Sequence, residues 1–116
     1  KSPAYSTRDL LQKHKLKLEQ VGVIDLHEAF AAGCLAIFRI AQKEWGHPWQ
    51  ELWQSKVVNP NGGSLALGHP LAASGTRVIL NVLGEMAKKK DIKYGMAAAS
   101  AAGGMGCSML MRRYEG

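Results

Sequence analysis

The stretch VGVIDLHEAF, Val21 to Phe30, decides how the chain is read. Val21, Val23, Ile24 and Leu26 form a near-continuous apolar run, with only Gly22 and Asp25 interrupting it. A strand that alternates polar and apolar residues has one wet face; a near-continuous run predicts a strand covered on both, as in an α/β sheet. The next segment, EAFAAGCLAIFRIAQKE from Glu28 to Glu44, is Ala-rich and apolar over much of its surface. It predicts a deeply buried helix. The polar pair His27–Glu28 therefore sits where a buried strand gives way to a buried helix, the edge of an α/β sheet at which ligands bind.

Upstream, Ser6 or Thr7 is placed to cap a helix over RDLLQKHKL, with Leu10, Leu11 and Leu16 as its apolar stripe. Downstream, WGHPWQELWQSK carries all three tryptophans and reads as a loop with a short helix. Asn59 to Pro70 is a Gly-rich loop. From Ser74 to Lys89, the residues Val78, Ile79, Val82, Leu83 and Met86 lie on one side of a second long helix. YGMAAASAA and GCSMLMRRY predict two strands joined by a turn at GGMG. The order is α/β: a mixed sheet with buried helices and an antiparallel C-terminal strand pair, with residues 1–116 forming a single, incomplete domain.

The totals narrow the function. The chain has 116 residues, 47% hydrophobic and 21% charged, an ordinary globular balance. A net charge of +6 and a pI near 9.6 favour acidic partners. The basic residues are scattered over Lys13, Lys15, Lys17, Lys88 to Lys90, Arg112 and Arg113, without interleaved aromatic residues. Solvated faces are expected, and nucleic acid is an unlikely partner. Cys34 and Cys107 lack metal-ligand spacing and read as reduced, buried thiols, so no metal is expected. No run reaches the roughly 18 apolar residues of a transmembrane segment. KSPAYSTRDLL has no apolar core of the kind a signal peptide needs, and it reads as continuing from a preceding part.

Three constellations can carry chemistry. In HEAF, His27 can donate to a developing oxyanion, while Glu28 can orient its neighbours or favour the helix N-terminus. In NPNGGSLALGHPLAASG, Asn59 to Gly75, glycines allow close backbone approach, and His69 stands between Gly68 and Pro70 ahead of a helix. The loop is not a P-loop, which needs Lys and a hydroxyl residue after its last glycine. In AAASAAGGMG, Ala97 to Gly106, small residues leave space, and backbone amides can form half of an oxyanion hole.

Taken in this order, HEAFAA, NPNGGSLALGHPLAASG and YGMAAASAAGGMG resemble the C-terminal part of the thiolase family. His27 in place of the usual Asn, and Ala102 in place of a Gly, look like the branch of the β-subunit of the mitochondrial trifunctional protein. The resemblance covers essentially the whole chain. It implies two similar halves in a five-layered fold, a dimer or tetramer, and cleavage of 3-ketoacyl-CoA by free CoA or the reverse condensation. Coenzyme A enters as substrate, and no further cofactor is implied. A cysteine nucleophile forms an acyl-enzyme. The residue matching His69 activates that thiol. The one matching His27 serves the thioester-oxygen site, and a second cysteine is acid and base at carbon. The amide matching Ala102 contributes an oxyanion donor beside Gly103. Gly68 is likewise implied on the substrate and oxyanion side, while Asn59, Gly62, Gly63 and Glu28 support the loop.

The chain departs from this pattern in three places. The nucleophile of the family belongs to a half that these residues do not include. The second cysteine aligns with Ser100, whose hydroxyl has a far higher pKa than a thiol at about 8.5. Ala72 replaces a Gly, with little expected consequence. Cys34 is expected to pack, and Cys107 to lie beyond the turn rather than replace Ser100. These departures point to a non-catalytic structural subunit of a larger mitochondrial assembly, needing protein partners over its apolar faces. The alternative is the C-terminal piece of an active acetyl-CoA acyltransferase completed by another chain.

Overall fold

The computed structural model describes residues 2–116. A three-stranded sheet in the order β1-β2-β3 forms the middle layer: β1 is Val23–Leu26, β2 Tyr94–Ala101 and β3 Met105–Arg112. β1 and β2 are parallel, pairing Val23 with Gly95 through Leu26 with Ala98. β2 and β3 are antiparallel, pairing Tyr94 with Arg112 through Ala101 with Met105. The mixed sheet and its antiparallel C-terminal pair are thus as the sequence predicts.

Side-chain alternation along the strands divides the core. Ile24, Leu26, Met96 and Ala98 face a cluster with Leu11, Ile37, Phe38 and Trp49. These come from α1 (Ser2–His14), α2 (Ala31–Trp45) and α3 (Trp49–Gln54). Val23 and Ala97 face the opposite side, against Val78, Val82 and Met86 of α5 (Ser74–Lys88). Each fully buried large aliphatic side chain contributes roughly 1.5–3 kcal/mol of transfer free energy. Gly95 lets α5 lie close on the sheet, since a Cβ there would overlap Val82 and Met86.

Several elements differ from expectation. α1 begins at Ser2, so Ser6 and Thr7 lie inside it rather than capping it. Their hydroxyls meet Ser108 Oγ at 2.7 and 3.0 Å, pinning α1 to β3. Pro3 is tolerated because it falls in the first turn, where backbone amides have no intrahelical partner. α2 starts at Ala31, because Phe30 is extended (φ −150°, ψ 142°). It is not deeply buried: only Ile37, Phe38 and Ala41 are, while Phe30 and Leu35 are 76% and 54% exposed. Within this chain α2 has neighbours along one stripe only. Arg113 is not simply solvated. Its guanidinium donates to Ile92 O and Lys89 O at 3.0 Å and also to Met86 O, tying the end of β3 to the end of α5.

Ala72 also departs from expectation. It adopts φ +64°, the left-handed region. An L-residue there costs about 1–2 kcal/mol, which a glycine avoids in exchange for some chain entropy. Ala72→Gly is therefore expected to stabilise the chain by about 1 kcal/mol, read as a higher urea midpoint at unchanged m-value. An unchanged or lower midpoint contradicts a strained turn.

Candidate active site

The site is assembled at the C-terminal end of β1. The His27 amide donates to Ala98 O at 2.8 Å, carrying the parallel ladder one residue past Leu26. Beside it, Val57 to Asn59 runs along the other edge of β1, with an isolated bridge between Ile24 and Val58. Asn59 turns the chain away at φ +49° and extends the pairing with its side chain. Its Oδ1 accepts from Leu26 N at 2.7 Å, and its Nδ2 donates to Leu26 O at 3.0 Å. A side-chain amide thereby substitutes for one more strand residue and anchors the Gly-rich loop to the sheet.

Glu28 belongs to this anchor. Its Oε1 accepts from Asn59 Nδ2 at 2.8 Å, and its Oε2 from the Leu65 amide at 3.1 Å. The helix it serves is the short α4 (Ser64–Leu67), not α2 as the sequence suggests. Gly63 must be glycine here, because a Cβ would overlap the Glu28 carboxyl and the Asn59 amide. Gly62 (φ +84°) and Gly68 (φ +88°) supply the turns on either side of α4. At the far end of the loop, Asn61 Nδ2 donates to Glu85 Oε1 at 2.9 Å. That bond, with those from Lys88 and Lys89, holds the Glu85 carboxyl down to about 2.

These anchors place two imidazoles against each other. The rings of His27 and His69 have centroids 4.4 Å apart and are tilted by 43°. His27 is 6% exposed, whereas His69 is open to solvent. Each Nδ1 meets a serine: His27 with Ser64 Oγ at 2.7 Å, and His69 with Ser74 Oγ at 2.6 Å. Arg77 on α5 donates through Nη2 to Ser64 Oγ at 2.9 Å. Neither Nε2 has a hydrogen-bond partner among the described residues. Ser64, Ser74 and Arg77 are functional candidates that sequence reading missed. Their only signal is spacing: Ser74 follows His69 by five residues, and Arg77 lies one helical turn beyond Ser74.

Burial lowers the His27 pKa below its ordinary 6.5, and the neighbouring His69 and Arg77 lower it further against the pull of Glu28. The native state thus prefers neutral His27, and protons bind preferentially to the unfolded chain. The contribution is complete above pH 6.5 and is lost as pH falls from there through the lower native value. His47, also depressed by burial, adds to this slope. Buried Asp25 is raised above 3.8, so it opposes the trend at more acid pH. Stability measured by urea titration should fall between pH 7 and 5, and His27→Asn should flatten part of that fall. An equal slope in the variant excludes His27 as a contributor.

Ser100 and His27 line one cavity of about 80 Å³, together with Phe30, Gly33, Cys34 and Ile37. Cys34 lines it too, but burial and Glu28 push its thiol up to about 11, which leaves it inert near neutrality. Cys107 is exposed rather than buried, opposite Ala99 on β3, and does not line this cavity. Ala102 and Gly103 lie in the exposed turn between β2 and β3, where Gly103 takes φ +79°. Among the described residues, no group of three or more His, Cys, Asp or Glu is placed to hold a metal ion. No helix among them is long and apolar enough to cross a membrane.

The site thus joins a strand-end histidine, a second histidine on a glycine loop and a small-residue hairpin. A model described as thiolase, C-terminal domain, matches residues 1–113. The chain belongs to the thiolase family. An acetyl-CoA acetyltransferase of Pseudomonas aeruginosa is 41% identical to this thiolase domain over 111 residues, covering 96% of the chain and 25% of the relative. A 3-ketoacyl-CoA thiolase of Shewanella oneidensis is 38% identical over 118 residues, covering 94% of the chain and 26% of the relative. The thiolase domain therefore spans about a quarter of the length of the curated relatives it matches. Among solved structures, the peroxisomal 3-ketoacyl-CoA thiolase of Saccharomyces cerevisiae superposes with a TM-score of 0.75 at 30% identity, over 94% of this chain and 28% of that one. That enzyme is described as a five-layered structure built from two core domains of identical topology.

Proposed function

We propose that this thiolase domain supplies the histidine half of an acyl-CoA C-acyltransferase site. The observation that carries this reading is the His27–His69 pair, 4.4 Å apart, with both Nδ1 atoms tied to serines and both Nε2 atoms free for substrate. In the thiolytic direction, His69 takes the proton of a cysteine thiol lying outside these residues, and the thiolate adds to the 3-keto carbon. The C2–C3 bond then breaks, leaving an acyl-enzyme thioester and a carbanion on acetyl-CoA that must be protonated. Free CoA takes the acyl group, and the cysteine thiol is restored. His27 donates to oxygen as negative charge develops. Ser100 stands where the proton for carbon is handled, and its hydroxyl is a poor acid and a poorer base.

Ser100 also favours a second reading, a thiolase domain kept as a structural subunit of a larger assembly. Phe30, Leu35, Leu65, Leu67 and Leu71 are all more than half exposed and need cover in either case. His27 for Asn and Ala102 for Gly support placement near the trifunctional β-subunit branch, and with it a mitochondrial setting.

The test is loss of a 3-ketoacyl-CoA in the presence of CoA, with the full-length protein and its His69→Ala variant. Turnover that vanishes in the variant supports the enzyme reading. No turnover, with a stable set of unrelated co-purifying proteins, supports the structural one.

A further inference from the structure

We propose that Arg77 and Ser64 are positioning residues that hold His27 as its Nε2–H tautomer, making it a hydrogen-bond donor toward substrate oxygen. The catalytic consequence rests on the reading of this site as an acyl-CoA site; the tautomer does not.

The argument is one of donor and acceptor counting. A guanidinium has donors only, so Arg77 Nη2 must donate to Ser64 Oγ across their 2.9 Å contact. Ser64 is 7% exposed, and its hydroxyl carries one proton. Its only other side-chain partner among the described residues is His27 Nδ1, at 2.7 Å. If Nδ1 carried hydrogen, Ser64 Oγ would receive two donors and its own proton would be buried without an acceptor, an arrangement that folded proteins avoid. Ser64 therefore donates to Nδ1, and the imidazole proton resides on Nε2. Asp25, buried two residues before His27 on β1, feels the charge of Arg77.

His69 is set the other way. Ser74 Oγ donates to Pro70 O at 3.2 Å, so its proton is committed to a carbonyl. His69 Nδ1, 2.6 Å from Ser74 Oγ, must then be the donor, and Nε2 keeps its lone pair. Two neighbouring rings thus present opposite faces of the same chemistry: His27 offers a proton to oxygen, and His69 accepts one from sulfur. The difference between them is that a cation stands behind Ser64 and a carbonyl behind Ser74. Two rings of the same tautomer would duplicate one role and leave the other unfilled.

The tautomer is measured directly by long-range ¹H–¹⁵N correlation on the full-length chain labelled with ¹⁵N-histidine, above pH 7. The His27 signals are those missing in His27→Gln. Expected is an unprotonated Nδ1 and a protonated Nε2 in the wild type. Ser64→Ala and Arg77→Met should mix or invert the tautomers while amide spectra show the fold intact; Arg77→Lys, which keeps a donor cation, should preserve the wild-type pattern. A protonated Nδ1 in the wild type, or a pattern unmoved by both Ser64→Ala and Arg77→Met, overturns the relay. In thiolysis, Ser64→Ala should lower kcat roughly tenfold at unchanged KM, less than the 10²–10³ lost with a whole oxyanion donor. The expected tautomer in an inactive wild type leaves the relay standing and removes the acyl-CoA reading; turnover with Nδ1 protonated does the reverse.

Discussion

On the proposed acyl-CoA reading, Ser100→Cys is expected to raise thiolysis of a 3-ketoacyl-CoA by roughly 10²–10⁴-fold, the range that a positioned acid–base group contributes. The position is favourable for it. Ser100 lies near the end of β2, opposite Gly106 across the hairpin, so no side chain from β3 crowds it. It lines the cavity shared with His27, and that cavity of about 80 Å³ has room for the larger sulfur. The native hydroxyl cannot exchange a proton with carbon at a useful rate near neutrality, whereas a thiol near 8.5 can. Cys34 lines the same cavity, so the assay is run under reducing conditions to keep the two sulfurs from pairing. If the variant gains nothing while the wild type turns over, proton transfer at carbon is handled elsewhere.

His69→Ala should lower turnover by at least about 10²-fold, because it removes the only free imidazole acceptor on the loop. The fold should tolerate the change. His69 is exposed, and exposed substitutions usually stay within about 0.5 kcal/mol. The lost contacts are the ring of His27 and Ser74, whose hydroxyl keeps its bond to Pro70 O. An intact urea midpoint with lost kcat separates a chemical role from a structural one. Added imidazole should restore part of the rate, since the space vacated by the ring is open to solvent. Activity equal to wild type would remove His69 from the mechanism and leave the loop a structural turn.

Much of the architecture is legible in the sequence. The apolar run in Val21–Leu26 predicts a strand buried on both sides, and it packs on α2 and α3 through Ile24 and Leu26 and on α5 through Val23. Local chemistry also marked His27, Glu28 and His69, because a polar pair at a strand end and a histidine in a glycine loop conflict with simple packing. Less of α2 was legible. Its composition measures how much surface it is able to bury, and the amount actually buried depends on which neighbours the chain supplies.

Element order, the mixed sheet and the residues that bear chemistry are local properties, written in strand and helix periodicities and in glycine turns. Which of those residues meet is a matter of packing. Glu28 serves α4 rather than its own helix, Ala72 is strained, and Arg77 stands behind Ser64 and His27, fifty residues from the latter along the chain. Such contacts depend on how α5 seats against Gly95 and how Asn59 pins the loop to β1, and no local pattern encodes a distance between segments that far apart.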